Sequence, residues 1–497
     1  MREDHMQHHR GDNININQGV LSFHFIDDFV SQDSPVRMIS EIVDNMNLDD
    51  LINQYSDKGA PAYNPLSMMK IILLGYSLGV RSSRKLASLL EYDLRFIYLA
   101  KTLKPNFRTI AMFRKKNLKA INQAFLETVR IGMVLGIVAM NHISLDGTKI
   151  EANVSRKEIR NKNKIDLMRE RIEKRAAEFL KEAEKTDEEE DKLYGDCRGD
   201  ELPEGLRTSK ERKEKLEKAK KKIEIEKEKI EKANEEMEKT GRQTIGSTDL
   251  ESRIMKTKSG KRPAYNAQAV VDKKHQMIIA ADVSQAENDS GEFVPMLEQV
   301  KKNTGTTPET VTADAGYHSQ ENLQYARDKG LDAYVPEKKN KIEFKYDEER
   351  DEYICPAGKA LKYRGINRNR HGKFYRIYRC TECAGCLQAK ACQGLGRKKK
   401  SKPRNHRDLS ILADTDRTLR EEMQKKLSSA EGKLLYALRK VIVEPVFGDI
   451  KFNMNFVKLL LRGLEGAKIE YLLSCIAHNV KKIMAFWTGW RKNPVAA

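Results

Sequence analysis

The sequence predicts an α/β protein: a mixed sheet with helical cover, preceded by a helical region and interrupted by two insertions. Three observations carry this. Residues 143–148 and 310–314 are short apolar runs that reach an aspartate with a glycine just beyond, the pattern of a buried strand stopping at a turn. Alternation over Tyr265–Asp272 and again over Met277–Val283, about the turn Lys273-Lys274-His275, predicts a hairpin. Helical patterns at 292–302 and 320–329 then alternate with strands at 310–314 and 331–336, the order of an α/β sheet.

Composition bounds the rest. A chain of 497 residues can hold two or three domains. A net charge of +19 suits a polyanionic partner, nucleic acid above all. No apolar run reaches the ~18 residues of a membrane span, and Met1–His5 opens without the apolar core of a signal peptide. The expectation is a cytoplasmic protein without a membrane partner. Four of the seven cysteines lie between Cys380 and Cys392, and in a reducing compartment clustered thiols are metal ligands more often than disulfides.

In chain order, residues 1–20 are polar and expected to be disordered. Residues 21–140 read as helical. Val36–Val43 opens an amphipathic helix, Pro65 sits at a first helical turn, and Ser82 caps a short helix. A helix over Thr109–Leu135 carries Arg114, Lys115 and Lys116 together. A helix-turn-helix-like DNA reader and a plain bundle with a solvated basic face fit this equally.

Lys and Glu dominate 157–244. Ile165, Ile172 and Phe179 recur every seven residues. Leu216, Ile223, Ile230 and Met237 do so on a second arm, with Ala219 and Ala233 between them. Gly195, Gly199, Pro203 and Gly205 separate the arms. This reads as an inserted antiparallel helical hairpin with a narrow apolar seam, the alternative being a fluctuating, solvated helix pair.

Residues 341–407 carry Cys355-Pro356-x-Gly358 and Cys383-x2-Cys386-x5-Cys392 around the basic strand Lys373–Arg379. Two thiolate pairs joined by a hairpin suit tetrahedral Zn²⁺. Cys380 is also in reach, so which four would ligate stays open, and reduced free thiols are the alternative. The basic run Arg397–Lys400 with Lys402 reads as a phosphate contact or a solvated linker. From Leu412 the chain is helical again. Tyr436, Lys440 and Glu444 share one face, and Pro445 predicts a kink near Glu444.

Three carboxylates stand out: Asp146, Asp314 and Glu444. Singly, each has an ordinary explanation; Asp314, for instance, can cap the helix near Ser319 or pair with a cation. Together, two strand-end aspartates and a helical glutamate can meet above one sheet edge. Their repulsion calls for cations, and hard oxygen donors select Mg²⁺ or Mn²⁺. Two such ions about 3.5–4 Å apart activate water or a 3′-hydroxyl and stabilise a leaving oxygen, which is phosphodiester chemistry. His318 either positions water or a phosphate or is a structural hydrogen-bonder beside a turn. Asn266 and Gln268 either line the site or belong to the strand.

Leu145-Asp146-Gly147-Thr148, Ala313-Asp314-Ala315-Gly316-Tyr317 and Val443-Glu444-Pro445-Val446-Phe447-Gly448 resemble the three catalytic motifs of DDE transposases of bacterial insertion sequences. The nearest likeness is to the IS eleven-eighty-two group, within the wider IS-four/IS-five-like transposases, and it spans residues 20–485. It implies a ribonuclease H-like core over 141–156, 245–340 and 408–490, with Asp146, Asp314 and Glu444 binding two Mg²⁺ or Mn²⁺ ions. A DNA-binding helical domain over 21–140, the inserted coiled-coil hairpin at 157–244 and a zinc-ribbon-like insertion at 341–407 complete it.

The family's Tyr-x2-Arg-x3-Glu-x6-Lys signature is met in order by Tyr436, Arg439, Glu444 and Lys451. The Arg-to-Glu gap is one residue too long, and Lys440 stands at the expected place, so either Arg439 or Lys440 would contact the transposon end. The resemblance also implies Cys355, Cys383, Cys386 and Cys392 as the zinc ligands, with Cys380 spare. It implies binding of double-stranded inverted repeats, cleavage, joining of 3′-hydroxyls to target DNA, a homodimer in the active complex and a place on the bacterial nucleoid. The alternatives are a ribonuclease H-like nuclease without strand transfer and a non-catalytic DNA-architecture protein.

Overall fold

Capping side chains set out the helices of the N-terminal part of the chain. In the computed structural model, which describes residues 26–54, 62–155, 158–194, 205–337, 344–368, 374–393, 404–412 and 417–492, the chain forms two units, 1–117 and 118–497. The first contains α1 (Pro35–Asp44), α2 (Pro65–Ser77), α3 (Ser83–Tyr92), α4 (Leu94–Leu99) and α5 (Phe107–Lys116). Ser34, Asn64, Ser82, Asp93 and Asn106 each accept a hydrogen bond from a free N–H at the helix start. Pro35 and Pro65 occupy first helical positions, where the missing donor costs nothing. Ile39, Met69, Ile72, Leu86, Phe96 and Ile110 are buried beneath them.

Two sequence expectations change in this unit. The helix expected over 109–135 is two helices: α5 ends at Lys116, and Asn117 leaves helical geometry while its amide donates to the Phe113 carbonyl at 2.8 Å. Arg114 does not share an exposed face with Lys115 and Lys116. Placed four residues after the buried Ile110, it points inward and donates to Tyr76 Oη (3.2 Å), to the Arg81 carbonyl (2.8 Å) and to Ser83 Oγ. Lys115 and Lys116 remain exposed.

The second unit is built on a six-stranded mixed sheet: β1 (His142–Glu151), β2 (Arg253–Thr257), β3 (Gly260–Asp272), β4 (Ile278–Ser284), β5 (Thr310–Ala313) and β6 (Asp332–Tyr334). The order is β2-β3-β1-β5-β6, with β4 also on β3. The long β3 pairs β2 through its first residues and β4 through its last, all antiparallel, as is its pairing with β1. β1, β5 and β6 run parallel.

The α-helices of five or more residues described in this unit are α6 (Leu118–Val134), α7 (Lys162–Tyr194), α8 (Gly205–Thr240), α9 (Phe293–Thr304), α10 (Gln320–Asp328), α11 (Arg417–Ser428), α12 (Ala430–Ile442), α13 (Glu444–Gly448) and α14 (Gly463–Lys492). Residues 264–272 and 278–281 are buried without alternation, as strands covered on both faces must be. α6, α9 and α14 pack on β4, and α12 lies against β1, β5 and β6.

α7 and α8 pack through Ile165, Ile172, Ile223, Ile230, Ala233 and Met237. Arg175 lies 3.5 Å from Glu226, and an antiparallel ribbon of 159–161 with 244–246 closes the base. The side chains of Phe179, Leu216 and Ala219 and the turn at 195–204 lie outside the described residues. A separate antiparallel sheet follows: β7 (Lys345–Asp347), β8 (Glu352–Ile354), β9 (Ala360–Arg368), β10 (Phe374–Cys380) and β11 (Arg407–Leu412), in order β11-β10-β9-β8-β7. Leu361, Tyr378 and Cys380 form its core. The basic run at 397–402 and residues 1–20 lie outside the described residues. Among those described, no helix is long and apolar enough to cross a membrane.

Candidate active site

Strand register brings the two aspartates together. Asp146 is not at a strand end, as its sequence suggested, but in the middle of β1. β3 pairs β1 from Ile143↔Asp272 to Glu151↔Ala264 and carries it past the aspartate. On the other edge the parallel pairing stops at Leu145↔Ala313, because β5 ends there. Asp146 and Asp314 are therefore the next residues in register, side by side where β1 loses its second neighbour. Asp314 leaves the sheet and caps the turn Ala315–Tyr317, its Oδ1 accepting from the Ala315 amide at 2.8 Å. Asp146 Oδ1 accepts from its neighbour's amide, Gly147, at 2.8 Å.

One layer below on the same face, Ser144 Oγ and Thr312 Oγ1 are 2.6 Å apart, and His142 Nε2 is 3.2 Å from Thr312 Oγ1. Burial holds the His142 pKa down to about 4, so the imidazole is neutral. The column under the carboxylates is polar but uncharged.

The third acid arrives on a break in the helix. α12 ends at Ile442 and α13 begins at Glu444, which realises the kink expected from Pro445. Pro445 has no N–H to offer the Val441 carbonyl. Gln276 Nε2 donates to that oxygen instead, at 2.8 Å. One turn earlier, Arg439 reaches back over the sheet. Its Nη1 donates to Asp146 Oδ2 at 2.9 Å, and its Nη2 lies 3.6 Å from Glu444 Oε1.

Arg439, expected as a candidate DNA contact, thus bridges two of the three acids, with the Tyr436 ring 5.9 Å from its guanidinium. Lys440 is exposed. Lys451 lies on a π-helical turn, Asp449–Asn453, and its ammonium donates to Thr148 Oγ1, two residues from Asp146. Burial and the nearby Lys258 lower its pKa. Asp449 secures that turn to α14 through His478 (2.8 Å) and Lys481 (3.0 Å). Burial lowers the His318 pKa, and Glu337 and Arg420 are charged neighbours that act on it.

Burial pushes the Asp146 carboxyl up to about 6; Arg439 opposes this, while Asp314 and Asp289 add to it. The carboxylate donors are hard oxygens, which suits a divalent cation. Among the described residues, no group of three or more His, Cys, Asp or Glu side chains is gathered closely enough to hold one. Arg439 engages Asp146 Oδ2 and lies beside Glu444.

Asp289 was not foreseen from sequence. It stands in the loop 285–292, without an apolar lead to mark it. Its Oδ1 accepts from Asn266 Nδ2 (2.7 Å), Gln268 Nε2 (3.0 Å) and Lys149 Nζ (3.0 Å). The two candidate strand residues of β3 therefore serve this carboxylate.

In the second sheet, Cys355, Cys380, Cys383, Cys386 and Cys392 line one small cavity with Arg407. All five are free thiols. Burial, with Cys380, Cys392 and Cys386 beside it, pushes the Cys383 thiol up to about 11. Cys380 is the most enclosed, packed against Leu361 and Tyr378. The cavity does not separate a set of four from the fifth.

Two comparisons bear on this geometry. Residues 354–484 match the family described as Transposase DDE domain. Residues 24–116 match the family described as Transposase domain (DUF772). Together they support a DDE transposase of an insertion sequence, an enzyme acting on DNA. The first match spans the cysteines, Tyr436, Arg439, Lys440, Glu444 and Lys451; Asp146 and Asp314 lie outside it. No curated protein matches the chain.

Proposed function

We propose that this chain is a transposase that binds the terminal inverted repeats of its own insertion sequence, hydrolyses the strand at each end to expose a 3′-hydroxyl, and joins that hydroxyl to target DNA. One observation carries the reading: the parallel pairing of β1 with β5 ends at Leu145↔Ala313, one residue before Asp146 and Asp314, and Arg439 links Asp146 to Glu444. The sheet order, with β1, β5 and β6 parallel and β3 and β4 antiparallel beyond them, supports a ribonuclease H-like core.

Asp146, Asp314 and Glu444 would hold two Mg²⁺ or Mn²⁺ ions. When bound, these supply an activated water or hydroxyl and stabilise the leaving oxygen. The chain's own residues do the rest. Asp146 lies within β1 and Asp314 caps the turn that follows β5, while Glu444 stands half exposed at the start of a five-residue helix. Release of Asp146 by Arg439 frees an oxygen and lets that guanidinium turn to a phosphate. Lys451 and Lys440 add positive charge along the same face, and Tyr436 backs the guanidinium.

In the N-terminal unit, exposed Arg84 and Arg108 lie 5.2 and 5.8 Å over the Phe107 ring, near exposed Lys85. They form a basic surface for DNA phosphates. Four of the five clustered cysteines would hold a structural Zn²⁺. The active complex pairs two ends and so requires at least a dimer.

The test is incubation of a labelled duplex carrying the element's end with the protein, with Mg²⁺, Mn²⁺ or EDTA and a target plasmid. Nicking at the end followed by joined product is expected with metal only. Cutting without joined product would reduce the protein to a nuclease. Binding of the end without any cut, by wild type and by Asp314→Asn alike, would leave an architectural role.

A further inference from the structure

Two glycines beside the aspartates have no conformational need to be glycine. Gly147 lies inside β1 and Gly316 in the short turn after Asp314, and neither has positive φ. What they lack is room. A Cβ at Gly147 would meet Gln268 Nε2 at 2.5 Å and Asp289 Oδ1 at 3.0 Å. A Cβ at Gly316 would meet Asp289 Oδ2 at 3.1 Å. One carboxylate is therefore wedged between the two backbone segments that carry Asp146 and Asp314, an oxygen against each.

Alternation sets Gly147, Lys149, Asn266 and Gln268 on the opposite face of the sheet from Asp146. Asp289 thus stands behind the acids, not among them. It is fixed there by Asn266, Gln268 and Lys149. Gln268 is fixed in turn by the buried Tyr317 hydroxyl, which donates to its Oε1. The chain Tyr317–Gln268–Asp289–Lys149 ties the Asp314 turn to β1 independently of the strand pairing, which has already ended at Ala313.

We infer that Asp289 is a positioning residue for the acidic site: it sets the separation of Asp146 and Asp314 by filling the space between Gly147 and Gly316. The inference rests on the reading of Asp146 and Asp314 as metal ligands. Its content is geometric. Asn at 289 has the same shape and keeps an acceptor for the three donors, so it should preserve the separation. Ala removes the wedge. Ala at Gly147 keeps every carboxylate and displaces Gln268 and Asp289.

The test is Mn²⁺ binding by the full-length chain, read from the free-ion electron paramagnetic resonance signal, with thermal unfolding in EDTA as the folding control. Asp289→Ala and Gly147→Ala are expected to weaken Mn²⁺ binding at least about tenfold, and Asp289→Asn to stay within about threefold of wild type. A purely structural residue would lower the unfolding temperature and leave Mn²⁺ affinity unmoved, and that result overturns the inference. Loss of affinity in Asp289→Asn equal to that in Asp289→Ala also overturns it, since charge and not shape would then be at work. If Asp289→Ala does not fold, Gly147→Ala decides by the same criterion. Asp314→Asn is run alongside: wild-type Mn²⁺ affinity in that variant removes the metal-ligand reading itself, whereas its loss with Asp289→Ala and Gly147→Ala unaffected removes only the role of Asp289.

Discussion

Asp146 is a buried carboxylate that costs the fold stability at neutral pH. Its carboxyl is raised from an ordinary value near 3.8 to about 6, chiefly by burial. A raised acid stabilises the fold while protonated, below pH ~4, and loses that contribution as pH rises through ~6. The gap corresponds to roughly 3 kcal/mol at neutral pH. Asp146→Asn is therefore expected to stabilise the metal-free protein by about 1–3 kcal/mol at pH 7.5, a gain that fades by pH 4. Denaturant unfolding in EDTA at the two pH values measures it, and destabilisation at pH 7.5 would count against the buried, under-compensated carboxylate. Asp146 and Asp314 stood out in the sequence because each follows an apolar run and precedes small residues, and the pairing of β1 with β5 brings the two segments together. Asp289 was not, because its role depends on space left by Gly147 and Gly316, which local sequence reports only as glycine. The target of Arg439 was hidden for a similar reason: the signature places it beside Glu444 in sequence, while its ion pair with Asp146 spans 293 residues.

At the scale of elements, the break between α12 and α13 positions Glu444. The proline that causes it was visible, but the amide that satisfies the orphaned Val441 carbonyl, from Gln276 in the β3–β4 turn, was not. Pro445→Ala restores a backbone donor at that position and lets the helix run through Val443. It is expected to cut end-nicking at least about tenfold while leaving stability within about 1 kcal/mol, as nicking rates and chemical denaturation would reveal; unchanged nicking would detach the break from function. The hairpin of α7 and α8 was read from its seven-residue spacing, and Ile165, Ile172, Ile223 and Ile230 are buried as that spacing requires. The Cys-bearing insertion was legible as a strand-rich segment with a thiol cluster, yet spacing could not single out four of five thiols that share one cavity. Native mass spectrometry is expected to show one Zn²⁺ per chain, absent in Cys383→Ser with Cys386→Ser. A metal-free wild type would leave these residues as packed thiols.

Across the whole molecule, a charge of +19 makes attraction to DNA sequence-independent in large part. The logarithm of affinity for a duplex should fall linearly with the logarithm of salt. Replacing Arg84 and Arg108 by Ala is expected to make that slope shallower by about 2, one phosphate contact each. Titrations by fluorescence anisotropy between low and moderate salt would detect this, and an unchanged slope would take the DNA surface away from these helices. The chain's plan was legible from the order of its segments: helices, a strand with Asp146, an insertion, a hairpin, a strand with Asp314, a second insertion, and the helix with Glu444. The pairing that matters most, β5 beside β1 and ending one residue before the aspartates, is a contact between segments about 168 residues apart and is written in no local pattern.

The central claim is that Asp146, Asp314 and Glu444 hold one metal centre, and iron-directed cleavage tests it most directly. With Fe²⁺ in place of Mg²⁺ and with ascorbate and peroxide, hydroxyl radicals cut the backbone beside the bound ion. Cuts near residues 146, 314 and 444 together, suppressed by excess Mg²⁺ and lost in Asp314→Asn, are the expected result. Cuts confined to one of these segments, or clustered at the cysteines alone, would contradict a shared site.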